Sequence, residues 1–399
     1  MARHITTVIL VHVARRWRTF HRRHMLLALG EALPEDAALV CVDRPITPDV
    51  TLWKYPARFW TGIWRVREEE DGGRVRVVTL RLAAHDITAD RIPALQAVNR
   101  WLARRQLRRY LRTRFPEARR VIQWIYHPVQ RWLFDALPET GRVYECYDEY
   151  CRTPEGEWVT SRWRKEEPLL READLTLATS MGLTESRRHM ARRIAYSPNG
   201  VPEFFFEVGG TPPDPIDVIP HPRIIYLGNL RPPVDIEFLA LVFRRRPDWQ
   251  LVFVGPVDRA AAVASLRARP NVHFLGSRPY EQIPSMLRRS DAGLIPFKIN
   301  EFSRALNPLK TWEYLACGLP VAASELPELR SLGDLVHVAV NDAAAFERAI
   351  EAALAMDRFG HARRAVATAR AFSWSAIVRR SVMPELQRVF QVGMDLTQS

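Results

Sequence analysis

The chain has little lysine, little cysteine and no long apolar run, and each shortage excludes something. Four cysteines, Cys41, Cys146, Cys151 and Cys317, show neither C-x-x-C spacing nor a framework pattern. They read as reduced thiols, which sets aside a zinc site or a disulfide scaffold. No apolar stretch approaches the ~18–20 residues that span a bilayer. Near the start, an apolar segment (Thr6 to Val13) precedes its arginines, the reverse of a secretory signal, and no small-residue cleavage site follows. A cytoplasmic protein is expected, with contact at the inner membrane face as an option. Solenoid-period repeats and low-complexity tracts are absent as well.

Arginine takes the place of lysine. Only four lysines occur among 58 basic residues, and the net charge is +13. Residues 1–200 carry 35 Lys and Arg against 24 Asp and Glu, a balance of +11, whereas residues 201–399 carry 23 against 21. The N-terminal half therefore faces an anionic partner: a phospholipid surface, a lipid pyrophosphate, an acidic glycan or nucleic acid. Genome composition or heat adaptation offers another account of part of the arginine excess.

Hydrophobic patterning alternates short apolar strands with helical stretches. Strands are predicted at Thr6–Val13, Ala38–Val42, Arg76–Leu80, Val121–Tyr126, Val143–Tyr147 and Leu175–Thr179, with helices over His24–Leu33 and Ile92–Phe115 between them. Glu68–Glu70 and Asp71-Gly72-Gly73 read as a polar turn or hairpin tip. Prolines and glycines then crowd residues 206–222, which predicts a linker. The alternation restarts at Ile224–Leu227 and continues through Leu251–Val254, Val272–Leu275, Gly293–Ile295, Pro320–Ala323 and Leu335–Val338. The expectation is an α/β protein of two doubly wound, Rossmann-like domains facing across a cleft. Residues 1–205 form the N-terminal domain, 223–375 the C-terminal one, and 376–399 a closing helical segment that packs back on the first.

The chemistry concentrates in Asn307-Pro308-Leu309-Lys310-Thr311-Trp312-Glu313 and its continuation to Val321. Asn307 suits an N-cap and Pro308 the first helical position, so a helix is expected to open here and end at Gly318. Amides around Pro308, Leu309 and Lys310, with the helix dipole and the Lys310 charge, suit a diphosphate. Glu313 shares the helix face of Lys310 and suits a ribose diol. Taken alone, these features equally describe an ordinary capped helix with a solvated Lys–Glu pair.

The segment resembles the signature of retaining glycosyltransferases of family 4 (group 1), whose donor helix reads E-x7-E, a small-residue turn, then P-V. Glu313 with Tyr314-Leu315-Ala316-Cys317-Gly318-Leu319-Pro320-Val321 matches its second half, and N-P-x-K is similar to the bacterial envelope-polysaccharide, teichuronic acid-type subgroup. Ile225-Tyr226-Leu227-Gly228, Val252-Phe253-Val254-Gly255-Pro256, Asn271-Val272-His273-Phe274-Leu275-Gly276 and Ser290-Asp291-Ala292-Gly293-Leu294-Ile295-Pro296 resemble its other C-terminal strands in order and spacing. Ala173-Asp174-Leu175 and Pro198-Asn199-Gly200-Val201 resemble its approach to the hinge. The resemblance implies the GT-B architecture and transfer of a sugar from a nucleotide-diphosphate donor to a glycan or lipid-linked acceptor, with anomeric retention. It implies Glu313 on the donor ribose, Lys310 and Gly228 near the diphosphate, and Arg278 near the base. The nucleotide sugar is a co-substrate, and neither a resident cofactor nor a metal is implied, there being no D-x-D motif at a strand end.

Several positions depart from the pattern. The first Glu of E-x7-E falls at Ala305, with Glu301 or Asn307 as the nearest substitutes. The family's diphosphate-neutralising Arg and Lys correspond to Asn229 and Val234, with Arg231 the nearest base. The N-terminal Gly-rich loop is replaced by an arginine-rich stretch in which Arg22, Arg23 or His24 is placed to reach a pyrophosphate, or to lie solvated. At the ends of N-terminal strands, Asp148 and His127 are the candidate catalytic groups, although a lone His after a strand is more often structural.

Residues 100–120 interleave Arg104, Arg105, Arg108, Arg109 and Arg112 with Trp101, Leu102, Leu107, Tyr110 and Leu111, a pattern that fits either an interfacial helix on anionic lipid or a core-packed helix with a basic face. Three rival functions remain: a nucleotide-sugar epimerase of the same fold, a degenerate non-catalytic relative, and a basic membrane- or nucleic-acid-binding protein. No nucleic-acid-binding motif supports the last of these, and no nucleic-acid partner is expected.

Overall fold

A computed structural model describes residues 4–48, 67–71, 73–208, 214–257 and 263–393. Two sheets organise them. The first has eight strands in the order β3-β4-β2-β1-β5-β6-β7-β8. These are β1 Thr7–His12, β2 Ala37–Ile46, β3 Arg67–Asp71, β4 Val75–Arg81, β5 Arg120–Ile125, β6 Gly141–Cys146, β7 Leu175–Ala178 and β8 Ile194–Tyr196. All pairings are parallel except β3 with β4, which form an antiparallel hairpin, so Glu68–Asp71 is a strand and not merely a turn. The second sheet is parallel, in the order β11-β10-β9-β12-β13-β14. Its strands are β9 Arg223–Leu227, β10 Gln250–Val254, β11 Val272–Phe274, β12 Ala292–Ile295, β13 Val321–Ser324 and β14 Val336–Ala339. This is the doubly wound order, in which the strand direction of winding reverses beside the first strand and leaves a crevice at the carboxyl ends.

Burial explains why these runs are strands. β1, β7, β9, β12 and β13 are buried along their whole length, as parallel strands covered on both faces must be. Helices α1 (Arg23–Ala32), α2 (Pro93–Arg114) and α3 (Thr160–Glu172) flank the first sheet, and α4 (Leu309–Ala316) belongs to the second. Of the 206–222 stretch, residues 209–213 lie outside the described residues, as do Gly72 and 394–399.

After the second sheet the chain returns to the first. Trp374, Ile377, Val378, Val382 and Leu386 join one core cluster with Ile9, Met25, Leu29 and Trp124. The helix of this return segment, α5 (Met383–Phe390), places Phe390 against Gly141 at the start of β6. The lobes also touch directly. The Ser180 hydroxyl donates to the Ala305 carbonyl (2.7 Å), and Asn300 donates to the Pro154 carbonyl (2.9 Å). Glu328 accepts from the Met181 amide (2.5 Å) and the Tyr196 hydroxyl (2.9 Å).

Candidate active site

Between the lobes lies a cleft of about 1070 Å³. Its N-terminal wall is built by the carboxyl ends of β1, β5 and β6 and by α3, and contributes Arg15, His127, Asp148, Arg152, Arg162 and Lys165. The opposite wall contributes Tyr226, Asn229, Arg231, Phe297 and Lys310. Asp148, His127, Asn229, Arg231 and Lys310, each proposed from sequence, therefore share one cavity although two come from the first half of the chain and three from the second.

Lys310 lies in the first turn of α4, half-buried, its ammonium 4.8 Å and 4.9 Å from the ring centres of Tyr226 and Phe297. Burial pushes its pKa down to about 8, partly offset by the Glu313 carboxylate. Gly228 turns the chain beside it in a backbone conformation that L side chains rarely adopt. Its φ is +115°, and an added Cβ would rest in ordinary contact, 3.8 Å from the Lys310 Nζ. The loop after β9 is also pressed on its neighbour, because a Cβ on Gly255 would lie 2.2 Å from the Gly228 carbonyl oxygen.

Glu313 lies behind this wall. It is 8 % exposed and its Oε1 accepts from the Tyr280 hydroxyl at 2.6 Å. Burial raises its pKa, opposed by that hydrogen bond and by Lys310. Tyr280 packs in turn against Phe204, Phe205 and His24. Arg278, half-buried two residues before Tyr280, is outside the cleft lining.

The opening of α4 corrects a detail of the sequence reading. The cap residue is Pro308, with helix from Leu309, and Asn307 does not cap it. The Asn307 side chain instead donates to Glu328 (3.2 Å), and its carbonyl accepts from Asn199 (2.5 Å). A carboxylate of the same lobe, itself bonded to Met181 and Tyr196 of the other, outcompetes the helix amides for that side chain. Leu309 packs against the N-terminal core, a lobe contact beside the cleft, while Lys310 reaches into it.

Arg22 and Arg23 are also corrected. Arg22 is fully buried, ion-paired with Glu145, 2.8 Å from the Asn199 Oδ1 and stacked over Trp374. Arg23 is bidentate to Asp71 at 2.9 Å. Neither faces the cleft, because each has a carboxylate partner within its own lobe. His24 faces Phe204 and Tyr280, and burial lowers its pKa. At Ala305 the backbone docks on Ser180 and the side chain joins the N-terminal core, which leaves no room there for a carboxylate. Glu301 is exposed and outside the cleft lining.

On the N-terminal wall, burial pushes the Asp148 carboxyl up to about 6, opposed by the Glu149 amide that donates to it (2.9 Å) and by Arg231 and Arg15. Arg231 comes from the other lobe, so charge from both walls converges on Asp148. Burial takes His127 down to about 4, so the ring is neutral at pH 7. Its Nδ1 accepts from the Val129 amide at 3.2 Å, which assigns the proton to Nε2 and makes that atom a donor.

Sequence reasoning missed the support beneath Asp148. Arg187 donates to both oxygens of Glu149 (2.6 and 2.7 Å) and to Glu166 (3.2 Å). Glu166 also accepts from Tyr144 (2.8 Å) and Cys151 (2.9 Å). The only hint in the sequence is that Glu166 and Arg187 fall on apolar helix faces. On α2, Arg104 donates to the carbonyls of Asp135 and Ala136 and Arg108 pairs with Glu139, while Leu107 and Tyr110 are buried. Its open face carries Val98, Trp101 (56 % exposed) and Arg105, Arg109 and Arg112. No helix among the described residues is long and apolar enough to cross a membrane.

Comparison with known proteins defines the class. Residues 221–356 match the family model of glycosyl transferases group 1. The whole fold is similar to sucrose-phosphate synthase from Thermosynechococcus elongatus, at a TM-score of 0.69 and 17 % identity over 97 % of this chain and 99 % of that one. It is similar to the same degree (TM-score 0.69, 12 % identity, 97 % and 99 % covered) to an E. coli trehalose-6-phosphate protein bound with UDP-2-fluoro glucose. The chain thus carries a group 1 glycosyltransferase domain within a GT-B architecture. Among curated proteins it resembles the putative teichuronic acid biosynthesis glycosyltransferase TuaH of Bacillus subtilis (strain 168), 30 % identical over 104 residues. That match spans about a quarter of either chain (26 % of each).

Proposed function

We propose that this protein moves a sugar from a nucleotide-diphosphate donor to a glycan or lipid-linked acceptor in cell-envelope polysaccharide synthesis, with retention at the anomeric carbon. One observation carries the reading: Lys310 and Arg231 on one wall of the cleft face Asp148 on the other. In this reading residues 223–375 are the donor domain and 1–205 the acceptor domain, joined by 206–222 and closed by 376–399. Lys310, Arg231, Asn229 and the Gly228 turn take the diphosphate, with the Leu309 and Lys310 amides beside it. Glu313 accepts from the ribose hydroxyls once Tyr280 yields its hydrogen bond, and Arg278 lies on the base side. Asp148 receives a proton or orients the acceptor, and His127 donates from Nε2 to a sugar hydroxyl. Asn307 acts through position alone, fixing the start of α4. The UDP-sugar complex of the E. coli neighbour supports a nucleotide sugar as co-substrate, and the TuaH match supports the envelope role.

A thermal-shift screen against UDP, GDP, dTDP and ADP tests this reading. One nucleotide is expected to raise the Tm, and Glu313→Ala to remove most of the rise. A folded protein that responds to none of the four refutes it. The open face of α2 supports peripheral contact with anionic membrane, at about 1 kcal/mol per basic residue near the surface. Equal binding to vesicles with and without anionic lipid refutes that contact.

A further inference from the structure

The N-terminal wall holds more positive charge than the donor reading uses. Arg15 and Arg91 line it with no carboxylate within ion-pairing distance among the described residues. Arg162 is anchored by carbonyls instead, donating to those of Arg152 (3.0 Å) and Tyr150 (3.4 Å), which fix the guanidinium without neutralising it. Lys165 is matched by Asp90. Of the acids on this wall, Glu149 is already spent on Arg187, which leaves Asp148. A donor diphosphate would be met by Lys310 and Arg231 across the cleft, so this surplus calls for a second anion.

We propose that the N-terminal half of the cleft is a subsite for a pyrophosphate-bearing acceptor, held by Arg15, Arg91 and Arg162. The inference rests on the transferase reading, because it takes the opposite wall as the donor side. Asp148 offsets at most one of the three guanidiniums, Arg15, through space. A ligand carboxylate would bring one further negative charge, whereas a pyrophosphate brings at least two, and its oxygens suit their forked donors. Ile87, Pro128 and Val129 line the same wall and offer an apolar strip to a chain attached to the phosphate. A lipid-linked pyrophosphate and a water-soluble one share the charged chemistry and differ only along that strip.

Calorimetric titration of the full chain with inorganic pyrophosphate, with UDP already saturating, tests the subsite. Binding is expected to persist, and Arg91→Gln and Arg162→Gln each to weaken it about tenfold while leaving UDP affinity unchanged. Both side chains are exposed, so the fold should survive the changes. Farnesyl diphosphate binding tenfold more tightly than pyrophosphate would identify a lipid-linked acceptor, and equal affinity a soluble one. Pyrophosphate that is displaced by UDP, or lost in Lys310→Met but unaffected by the arginine variants, occupies the donor side and overturns the proposal. Arginine-dependent pyrophosphate binding in a protein that binds no nucleotide would sink the transferase reading and leave this anion site standing.

Discussion

The two walls of the cleft are held in place by different physics. The N-terminal wall stands on buried charge. Arg22 and Glu145 pair with no exposure, and Arg187 is enclosed by Glu149 and Glu166 directly beneath the Asp148 loop. The C-terminal wall stands on close backbone approach and apolar packing, with Gly228 against Gly255 and Tyr314 filling the space beside Gly293. Buried ion pairs cost much of their attraction in desolvation, so they stabilise little in net terms, but they are expensive to break on one side. That makes the N-terminal wall rigid in geometry and fragile to substitution. The C-terminal wall has fewer such fixed charges, and its half-buried cation, Lys310, lies over the rings of Tyr226 and Phe297 with no ion-pair partner among the described residues.

The sharpest way to break the comparison is Arg22→Met. It strands Glu145 without a counter-ion and should cost about 3–5 kcal/mol, seen as a large fall in Tm. Adding Glu145→Gln should recover most of that loss, since a neutral amide needs no cation. Arg22 also holds Asn199, which holds the Asn307 carbonyl at the start of α4, so nucleotide affinity should fall along with stability. A single variant with unchanged Tm would mean that the pair carries nothing.

Asp148 gives the next effect. Folding raises its pKa from 3.8 to about 6, so the fold disfavours the ionised form. Its contribution to stability is present at low pH and is lost as pH rises through that window. Asp148→Asn should therefore be more stable than the parent at pH 7–8, on the order of 1–3 kcal/mol. If the carboxylate is the proton acceptor, turnover should rise with pH through about 6 in the parent, and the variant should lose about 10²–10⁴-fold in rate. A variant both less stable and fully active contradicts both statements.

Lys310 provides the smallest effect and the finest discrimination between the walls. Its charge disappears as pH rises through about 8. Nucleotide affinity should accordingly fall between pH 7 and 9, by roughly threefold to tenfold. In Lys310→Met the affinity should be low and flat over the same range. A parent with no pH dependence would place the diphosphate away from Lys310.

Periodicity alone gave most of the strands in both sheets, because parallel strands buried on two faces read as apolar runs. The edge strands β3 and β8 were missed for the complementary reason. β3 is a row of acidic residues paired on one side only, and β8 is a short strand, half-buried throughout. The signature around Asn307–Val321 put Lys310 and Glu313 on one short helix, since helix spacing is local, while the cap expected at Asn307 did not form. The partner of Asn307 is Glu328, 21 residues on, and nothing nearby in the chain signals it. The same holds for Arg22, whose neighbours in sequence are exposed or half-buried bases while its own counter-ion comes from β6.

Taken by itself, the sequence determined the alternation of elements, the helix that carries the donor signature and the excess of positive charge in the first half. These depend on residues a few positions apart, and spacing reports them. Only the tertiary structure decided which arginines are buried counter-ions and which line the cleft, that Asn307 serves the lobe contact and not the helix, and that Glu313 is covered by Tyr280. Each of those outcomes is a competition for one polar group among partners distant in the chain, and the winner is set by which elements the fold brings together.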